Sequence, residues 1–367
     1  MKKSQAASLS LSLFIFIILI FPSIILKDVL VLLLVKSIWV LAIAAISYAI
    51  FRSGKISKFR AILFIIMAWA LLFQFKFKAP QFQETPYCHI AIVGTFLSSM
   101  HSQYLALAGG RWNIFGVLTL GVLWLAVTLI IGQAWCSWAC FYGGFDDGFS
   151  RILKKPLLKF NLSGKLRDFP IAFTIFIILI SFTAAIPVYC IWVCPLKATT
   201  QFFDSDSIIR YIQTAIFLFV ALFFLVIFPL VIKKRTFCSF LCPFGAFISI
   251  FGQINPFRIS IDVNKCIKCK ACIEKCPMFA INEERLSKNR VINYCNRCGE
   301  CIDICPAQAI NITLLGKDIK LSEKPPKIVR EIFDARVFLV VSCLLIMGAI
   351  SNLFVPQAFI KLIRMLF

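Results

Sequence analysis

Sixteen cysteines stand in this 367-residue chain, and half of them fall into two copies of one spacing. The copies are Cys266-x2-Cys269-x2-Cys272-x3-Cys276-Pro277 and Cys295-x2-Cys298-x2-Cys301-x3-Cys305-Pro306. Three thiols spaced two residues apart can hold one face of an iron–sulfur cubane, and in the bacterial two-cluster run the fourth Cys ligates the other cluster. The spacing therefore predicts two [4Fe-4S] clusters. Their expected ligands are Cys266, Cys269, Cys272 and Cys305 for one, and Cys295, Cys298, Cys301 and Cys276 for the other. The alternative is structural zinc, whose sites usually pair C-x2-C units across longer gaps.

Three further pairs share a C-x3-C spacing. They are Cys136 with Cys140, Cys190 with Cys194, and Cys238 with Cys242. The first and third pairs repeat the context Cys-Ser-aromatic-x-Cys. Positions i and i+4 of a helix share one face, so the four thiols of these two pairs are expected to hold a third Fe–S cluster or another thiolate-bound metal. The alternative is that they pack as small buried hydrophobes.

The middle pair ends a predicted span that runs outward, so it is expected at the face opposite to the other two. A second, outer site is predicted from Cys190, Cys194 and Cys88, with His89 or His101 as the fourth ligand. Two alternatives stay open. A re-entrant segment would return the middle pair to the inner group, and an outer disulfide would make it structural.

The rest of the chain is strongly apolar. Hydrophobic residues make up 60% of it and charged residues 15%, whereas soluble domains carry about 25% charged residues. This excludes a disordered chain, a coiled coil and a soluble enzyme of this size. Apolar runs of about 20 residues can cross a bilayer. The sequence predicts seven spans, the third being the shortest: residues 4–26, 29–51, 61–75, 113–134, 169–189, 211–232 and 337–360.

The formal net charge of +22 would suit nucleic acid, but the Lys and Arg residues stand in short clusters beside apolar runs, as in cytoplasmic loops of membrane proteins. Nucleic acid is therefore not expected as a partner, whereas membrane lipid is.

A topology with the N-terminus inside places more Lys and Arg in the inner segments than in the outer ones, as the distribution of charge in membrane proteins requires. We predict a multi-pass protein of the bacterial cytoplasmic membrane, with the polar stretch 236–336 on the cytoplasmic side. The first span is expected to be retained, because no A-x-A-like cleavage site follows it.

The predicted fold is an all-α membrane bundle of about six or seven transmembrane helices with an inserted α+β ferredoxin domain of the bacterial 2[4Fe-4S] type. The domains are residues 1–75, N-terminal helices; 76–111, an outer loop; 112–250, helices with the C-x3-C motifs; 251–325, the cytoplasmic ferredoxin domain; and 326–367, a C-terminal helix. Alternating residues predict strands at 259–263 and 309–312.

A few single residues stand out. Lys36 lies inside the second span, where a charge is costly, and is expected to face the bundle or reach the interface, with contact to a quinone head group or an anionic cluster as the alternative. Cys343 is expected to pack in the last span. Asp146 and Asp147 are expected to be solvated turn residues.

The combination of C-x3-C(P) motifs after spans with a two-cluster module, between about Trp112 and Ile312, resembles the NapH/NosR-type membrane polyferredoxins. That group includes quinol-dehydrogenase membrane subunits of periplasmic nitrate reduction and regulator-like proteins of nitrous-oxide reduction. Ferredoxin-type proteins of methylamine utilisation and copper-reducing oxidase-assembly factors also resemble it. Residues 238–243 match the C-x3-C-P pattern in full, whereas Phe141 replaces Pro in the first motif. The large extracytoplasmic domain of the regulator-like members is absent from the sequence, which is nearer to the short NapH-like form.

No nucleophile–base constellation or phosphate loop is visible. The resemblance and the cysteines together predict a membrane-bound electron carrier, with a quinol-dehydrogenase subunit as one form. It would link the quinone pool or a ferredoxin- or flavodoxin-like donor to a redox partner, such as an extracytoplasmic oxidoreductase, with a route across the membrane as one possibility. The alternatives are a metal reductase that supplies, for example, copper to a respiratory enzyme, and a redox-sensing membrane regulator.

Overall fold

The computed structural model describes residues 2–26, 28–76, 108–110, 117–160, 166, 168–184, 186, 188–195, 207–288, 291, 294–315 and 331–366. Cys88, His89 and His101 lie outside the described residues, as does most of the predicted outer loop 76–111. The outer site that the sequence predicts around Cys88 therefore stays a prediction.

Helices dominate the described residues. In chain order they are α1 Gln5–Ile25, α2 Leu30–Ser53, α3 Ile56–Lys76, α4 Val117–Ile130, α5 Trp135–Trp138, α6 Phe141–Ile152, α7 Phe169–Ala184, α8 Val188–Trp192, α9 Ile208–Ile232, α10 Pro243–Phe251, α11 Ala271–Lys275, α12 Glu283–Ser287, α13 Glu300–Ile304, α14 Ala335–Asn352 and α15 Val355–Leu366. A π-helical stretch at Ala221–Ile227 widens α9, and another precedes α10 at Phe237–Leu241.

Among the described residues, five helical stretches are long and apolar enough to cross a membrane: α1, α2, α3 to Gln74, α9, and α14 continued by α15. They confirm a multi-pass membrane protein. The third span is longer than the sequence predicted, because α3 begins at Ile56. The last is broken after Asn352, where the chain turns before α15.

The N-terminal helices pack against the C-terminal one. Lys3 pairs with Asp334, the N-cap residue of α14, at 3.2 Å, and the Ser4 hydroxyl donates to Glu331 at 2.7 Å. Cys343 is fully buried in α14, as the packing interpretation predicted. Lys36 lies 2.6 Å from Asp28, so an ion pair within the chain offsets part of the cost of its charge.

The polar module is built on two antiparallel strands, β1 Phe257–Ile261 and β2 Ile310–Leu314, with Ile259 opposite Ile312. Both predicted strands are present, each shifted by one or two residues. Between them, α11 and α13 lie within the two Cys runs, where they carry Cys272 and Cys301, 29 residues apart in sequence.

The two halves of this module repeat the same backbone. Left-handed φ angles occur at Lys268 and Arg297, at Lys270 and Gly299, and at Phe279 and Gln308. Each pair has the same separation as the two helices. A pseudo-twofold relation between the Cys runs follows from these shared turns.

The module docks onto the start of α3. Asp303 in α13 accepts hydrogen bonds from the backbone N–H groups of Ile56 and Ser57 at 2.9 and 2.7 Å. The Ser57 hydroxyl donates to Glu300 at 2.5 Å. A Cβ on Gly299 would lie 2.9 Å from the Ile56 side chain. Two carboxylates thus sit at the positive end of a membrane helix, where helices favour anions.

Candidate metal centres

The first cysteine group consists of Cys266, Cys269, Cys272 and Cys305. All four line one cavity of about 360 Å³, open to solvent, whose other walls are mostly apolar. Burial raises the pKa of Cys272, and the thiols of Cys266, Cys269 and Cys305 raise it further. Cys305 comes from the second run, so the structure brings together the set that the spacing predicted. Cys269 is exposed.

The second cysteine group consists of Cys276, Cys295, Cys298 and Cys301. Burial raises the pKa of Cys301, and the thiols of Cys295, Cys298 and Cys276 add to this effect. The group is more enclosed than the first, because Cys276, Cys298 and Cys301 are all buried.

Backbone donors approach the fourth sulfur of each run in the same way. The N–H of Ala280 donates to Cys276 Sγ at 3.2 Å, and the N–H of Ala309 donates to Cys305 Sγ at 3.3 Å. Hydrogen bonds to cluster sulfurs are one determinant of the reduction potential. Both groups thus have the donor set and the hydrogen bonds to sulfur that a [4Fe-4S] cluster uses.

Among the described residues, no three Cys, His or acidic side chains converge on a point where one metal ion would bind. In a cubane each thiolate binds a different iron, so its four sulfurs stay further apart than the ligands of a tetrahedral zinc ion, each of which lies about 2.3 Å from the metal. The preference for clusters over structural zinc rests on the C-x2-C-x2-C-x3-C-P spacing of both runs, which is that of two-cluster ferredoxins.

The three C-x3-C motifs share one local fold. In each, the N–H of the second Cys donates to the carbonyl oxygen of the aromatic residue five positions earlier: Cys140 to Trp135 at 3.0 Å, Cys194 to Tyr189 at 2.9 Å, and Cys242 to Phe237 at 3.1 Å. Phe141 does not disturb this turn in the first motif, although Pro follows the second Cys of the other two. The middle motif is therefore built like its neighbours.

The boundary cysteine group consists of Cys136, Cys140, Cys238 and Cys242. Burial raises the pKa of Cys242, and the thiols of Cys140 and Cys136 raise it further. The pKa of Cys238 is also raised, mainly by burial and further by the nearby groups of Asp146, Cys242 and Cys140. The backbone N–H of Gly245 donates to Cys242 Sγ at 3.4 Å. The first and third motifs thus face each other and form a buried four-thiol group, which fits a further cluster.

Asp146 and Asp147 were expected in a solvated turn, and that expectation is wrong, since both are fully buried. Asp146 accepts hydrogen bonds from the backbone N–H groups of Thr236 and Cys238 at 3.1 and 2.9 Å. These hydrogen bonds hold α6, which follows the first motif, against the third motif. Burial raises the pKa of Asp146 to about 7, although these hydrogen bonds and Arg235 oppose the rise.

Asp147 binds three arginines that are far apart in sequence. Its carboxylate lies 2.8 Å from Arg60, 2.7 Å from Arg235 and 3.2 Å from Arg151. Burial alone would raise the pKa of Asp147, but these guanidinium groups hold it far below its usual range. Sequence reasoning missed this group because its members lie on α3, on α6 and after α9. The only local signal was an acidic pair directly behind a C-x3-C motif.

The boundary and second cysteine groups are in direct contact through their loops. The Ser137 hydroxyl, in the first motif, donates to the carbonyl oxygen of Asn296 at 2.6 Å. The Ser239 hydroxyl, in the third motif, lies 3.7 Å from Met278 Sδ, two residues after Cys276. Each serine of the repeated Cys-Ser pair therefore contacts a loop that carries a cysteine of the second group.

The expected outer position of the middle motif is wrong for Cys194. Its Sγ lies 3.1 Å from the hydroxyl of Tyr142, which stacks on Phe237. The physical reason is that α7 ends at Ala184, too short for the predicted span, and that α8 packs beside α7, with the rings of Tyr189 and Phe173 6.4 Å apart between centroids. The re-entrant alternative describes the structure, and Cys194 lies beside the first and third motifs.

A further cavity of about 640 Å³, including its open mouth, lies where the module meets the helices. Its lining includes Cys295 of the second group together with Gln133, Arg258 and Arg297, and no acidic side chain contributes to it. The space inside it that water-sized molecules can enter is about 240 Å³, slightly below the range of about 300–1,000 Å³ that is usual for small-molecule sites.

Comparison with protein-family models agrees with this division of the chain. Residues 258–311 match a 4Fe-4S dicluster domain. Residues 112–159, 169–207 and 214–261 each match a 4Fe-4S binding domain. Each of these three segments contains one C-x3-C motif, so the middle motif belongs to the same repeat as the other two.

Several proteins resemble the chain. The uncharacterized protein MJ0750 of Methanocaldococcus jannaschii is 30% identical over 178 residues, which are 47% of this chain and 69% of that protein. A protein of Escherichia coli named as electron transport protein YccM is 25% identical over 170 residues, 44% of this chain and 45% of that protein. The methylamine utilization ferredoxin-type protein MauN of Methylobacillus flagellatus is 27% identical over 151 residues, 40% of this chain and 48% of that protein. The matches thus span about half the length of YccM and of MauN. No solved structure gave a significant match.

The fold and the site define a membrane protein with 4Fe-4S ferredoxin-type domains. The chain belongs to the same family as MJ0750. Its 4Fe-4S domains and its likeness to YccM and MauN make it an iron–sulfur electron transport protein.

Proposed function

We propose that the protein relays single electrons from a soluble cytoplasmic carrier through the first and second cysteine groups to the boundary cysteine group at the membrane. [4Fe-4S] clusters bound by these thiols would supply the one-electron oxidation and reduction. The observation that carries the proposal is the hydrogen bond from Ser137 to Asn296, since it joins the boundary group directly to the loop of the second group.

The solvent exposure of the cysteine groups suggests the order in which electrons pass through them. Cys269 of the first group reaches the surface, beside the exposed Ile267, so a protein partner can approach this group closely. The second group is enclosed, and the Ser137 contact links it to the membrane side. The first group therefore exchanges electrons with the soluble partner, and the second passes them on.

Charge around the first group supports a partner with an acidic face, as the sequence suggested. Lys265 and Lys270 form ion pairs with Asp262 and Glu283, which leaves Lys268, in the loop of the exposed Cys269, as the lysine best placed to attract such a partner. Attraction between opposite charges mainly raises association rates, and salt weakens it.

A test uses the intact protein in lipid nanodiscs and a reduced, acidic ferredoxin as the electron donor. Lys268→Glu should slow the second-order reduction rate several-fold at low ionic strength, with the difference shrinking as salt is added. Lys155→Glu, at an exposed lysine in another part of the chain, is the matched control. Equal rates for both variants would argue against entry at the first group.

The cavity beside Cys295 favours a second candidate, exchange of electrons with the quinone pool. Gln133 and Arg297 are suited to bind the oxygens of a quinone ring, and a cysteine of the second group lies in the same cavity wall. Reduction of the protein by a quinol, blocked by Gln133→Leu, would support it. The resemblance to NapH-like subunits supports the same route, while a path across the whole membrane rests on the sequence alone.

Burial counts against the metal-reductase alternative. All four thiols of the boundary group are buried, whereas delivery of copper needs thiols that a metal ion can reach. A redox-sensing regulator would use the same centres without turnover, and steady electron transfer in the nanodisc assay separates the two.

A further inference from the structure

The ion group around Asp147 lies between two of the cysteine groups. Arg60 and Arg235 are both fully buried. Arg60 donates to the carbonyl oxygen of Ser137, and Arg235 donates to that of Cys136 at 3.3 Å. The backbone N–H of Arg235 also donates to the carbonyl oxygen of Pro277 at 2.9 Å, next to Cys276 of the second group.

Both arginines therefore contact the backbone on the two sides. Arg235 bonds Cys136 of the boundary group through its guanidinium group and Pro277, next to Cys276, through its backbone. Arg60 bonds the carbonyl oxygen of Ser137, whose hydroxyl donates to Asn296 in the loop of the second group.

The group carries more positive than negative charge. Two fully buried guanidinium groups share the carboxylate of Asp147, and the partly exposed Arg151 adds a third cation that is also paired with Glu300. The carboxylate of Asp146 is directed elsewhere, since it accepts hydrogen bonds from the backbone N–H groups of Thr236 and Cys238. Buried charge is costly unless it is compensated, and thiolate-bound clusters on both sides would supply that compensation.

We propose that Asp147 positions Arg60 and Arg235 as a countercharge shared by the second and boundary cysteine groups, so that one buried ion group sets the reduction potentials of both centres together. The inference rests on the proposed function, because it requires a redox centre at the boundary group. Each arginine stabilises the added electron on either side, which keeps the two potentials matched when the environment changes. Asp147 is the positioning residue, since it holds both guanidinium groups between the two centres.

The test is a redox titration of the anaerobically purified full-length protein, followed by EPR. Arg235→Gln removes a cation and should lower the midpoint potentials of both centres. Asp147→Asn removes the anion while nearly keeping its shape, and should raise both. The first cysteine group is the more exposed of the two in the module, so solvent should screen it from the buried arginines and its potential should change least in both variants.

Shifts of opposite sign in the two variants cannot come from general loosening of the fold. If Arg235→Gln does not retain its iron, Arg60→Gln takes its place with the same expected direction. Equal directions in the cation and anion variants, or a shift confined to one of the two centres, would overturn the proposal. The wild-type protein is titrated first. If it shows no EPR signal from a centre at the boundary cysteine group, the proposed function itself is refuted.

Discussion

The Ser137 hydroxyl donates a hydrogen bond of 2.6 Å to the carbonyl oxygen of Asn296. Ser137 stands between Cys136 and Cys140, and Asn296 stands between Cys295 and Cys298. The two residues are 159 positions apart, yet they join the loops of two cysteine groups. This bond passes directly from one Cys loop to another and so connects the membrane helices with the polar module.

Replacing Ser137 with Ala should weaken this connection. A buried carbonyl oxygen that loses its donor costs about 1–3 kcal/mol of folding free energy, and the electron-transfer step between the two groups should slow. Thermal unfolding in detergent and rapid reduction kinetics measure the two effects. Ser37→Ala is the control, because Ser37 bonds only a carbonyl of its own helix at 2.8 Å. Equal behaviour of the two variants would contradict the role given to this bond.

Asp303→Ala should loosen the docking of the polar module. Asp303 satisfies two backbone N–H groups at the start of α3, in the manner of an N-cap, and losing such a cap costs about 0.5–2 kcal/mol. Amide hydrogen exchange should increase at Ile56 and Ser57. The control is Glu284→Ala, which removes an exposed pair with Lys288. Unchanged protection at the start of α3 would show that other contacts hold the module.

The Lys3–Asp334 pair should make stability depend on pH in acid. Burial alone would raise the pKa of Asp334, but the N–H of Arg336 and the charges of Arg336 and Lys3 outweigh it and lower the pKa. A lowered pKa means that the stabilisation is complete above the ordinary value of about 4 and is lost as the pH falls through the lowered pKa. The unfolding free energies of wild type and Asp334→Asn should therefore differ at neutral pH.

That difference should shrink as the pH falls below about 4, because protonation of Asp334 then mimics the substitution. Denaturant titrations in detergent over this range measure it. A constant gap between the two proteins at all pH values would mean that Asp334 stabilises the structure through its shape and not through its charge.

Cysteine spacing predicted most of the polar module. The C-x2-C-x2-C-x3-C-P spacing predicts that the fourth Cys of each run joins the other run's cysteines. The backbone shows the same repeat, with left-handed φ angles at the equivalent residues Lys268 and Arg297. The apolar runs predicted the long helices because a membrane span needs little beyond length and composition.

Contacts between residues distant in sequence could not be predicted from the sequence alone. Burial of Asp147 depends on Arg60 and Arg235, which arrive from distant segments, so an acidic pair after a turn resembled an ordinary solvated turn. The side on which Cys194 lies depends on the packing of α8 beside α7. Hydropathy does not encode that packing, since both helices are apolar.

The central claim, a third redox centre at the boundary cysteine group, is tested most directly by the iron and acid-labile sulfide content of anaerobically purified protein, with EPR of the reduced form. Wild type should contain about 12 iron atoms per chain, and the double variant Cys136→Ser/Cys242→Ser about 8, because each [4Fe-4S] cluster contributes four. Cys343→Ser, at a cysteine that only packs in α14, should retain the wild-type content. About 8 iron atoms in wild type and double variant alike would contradict the account.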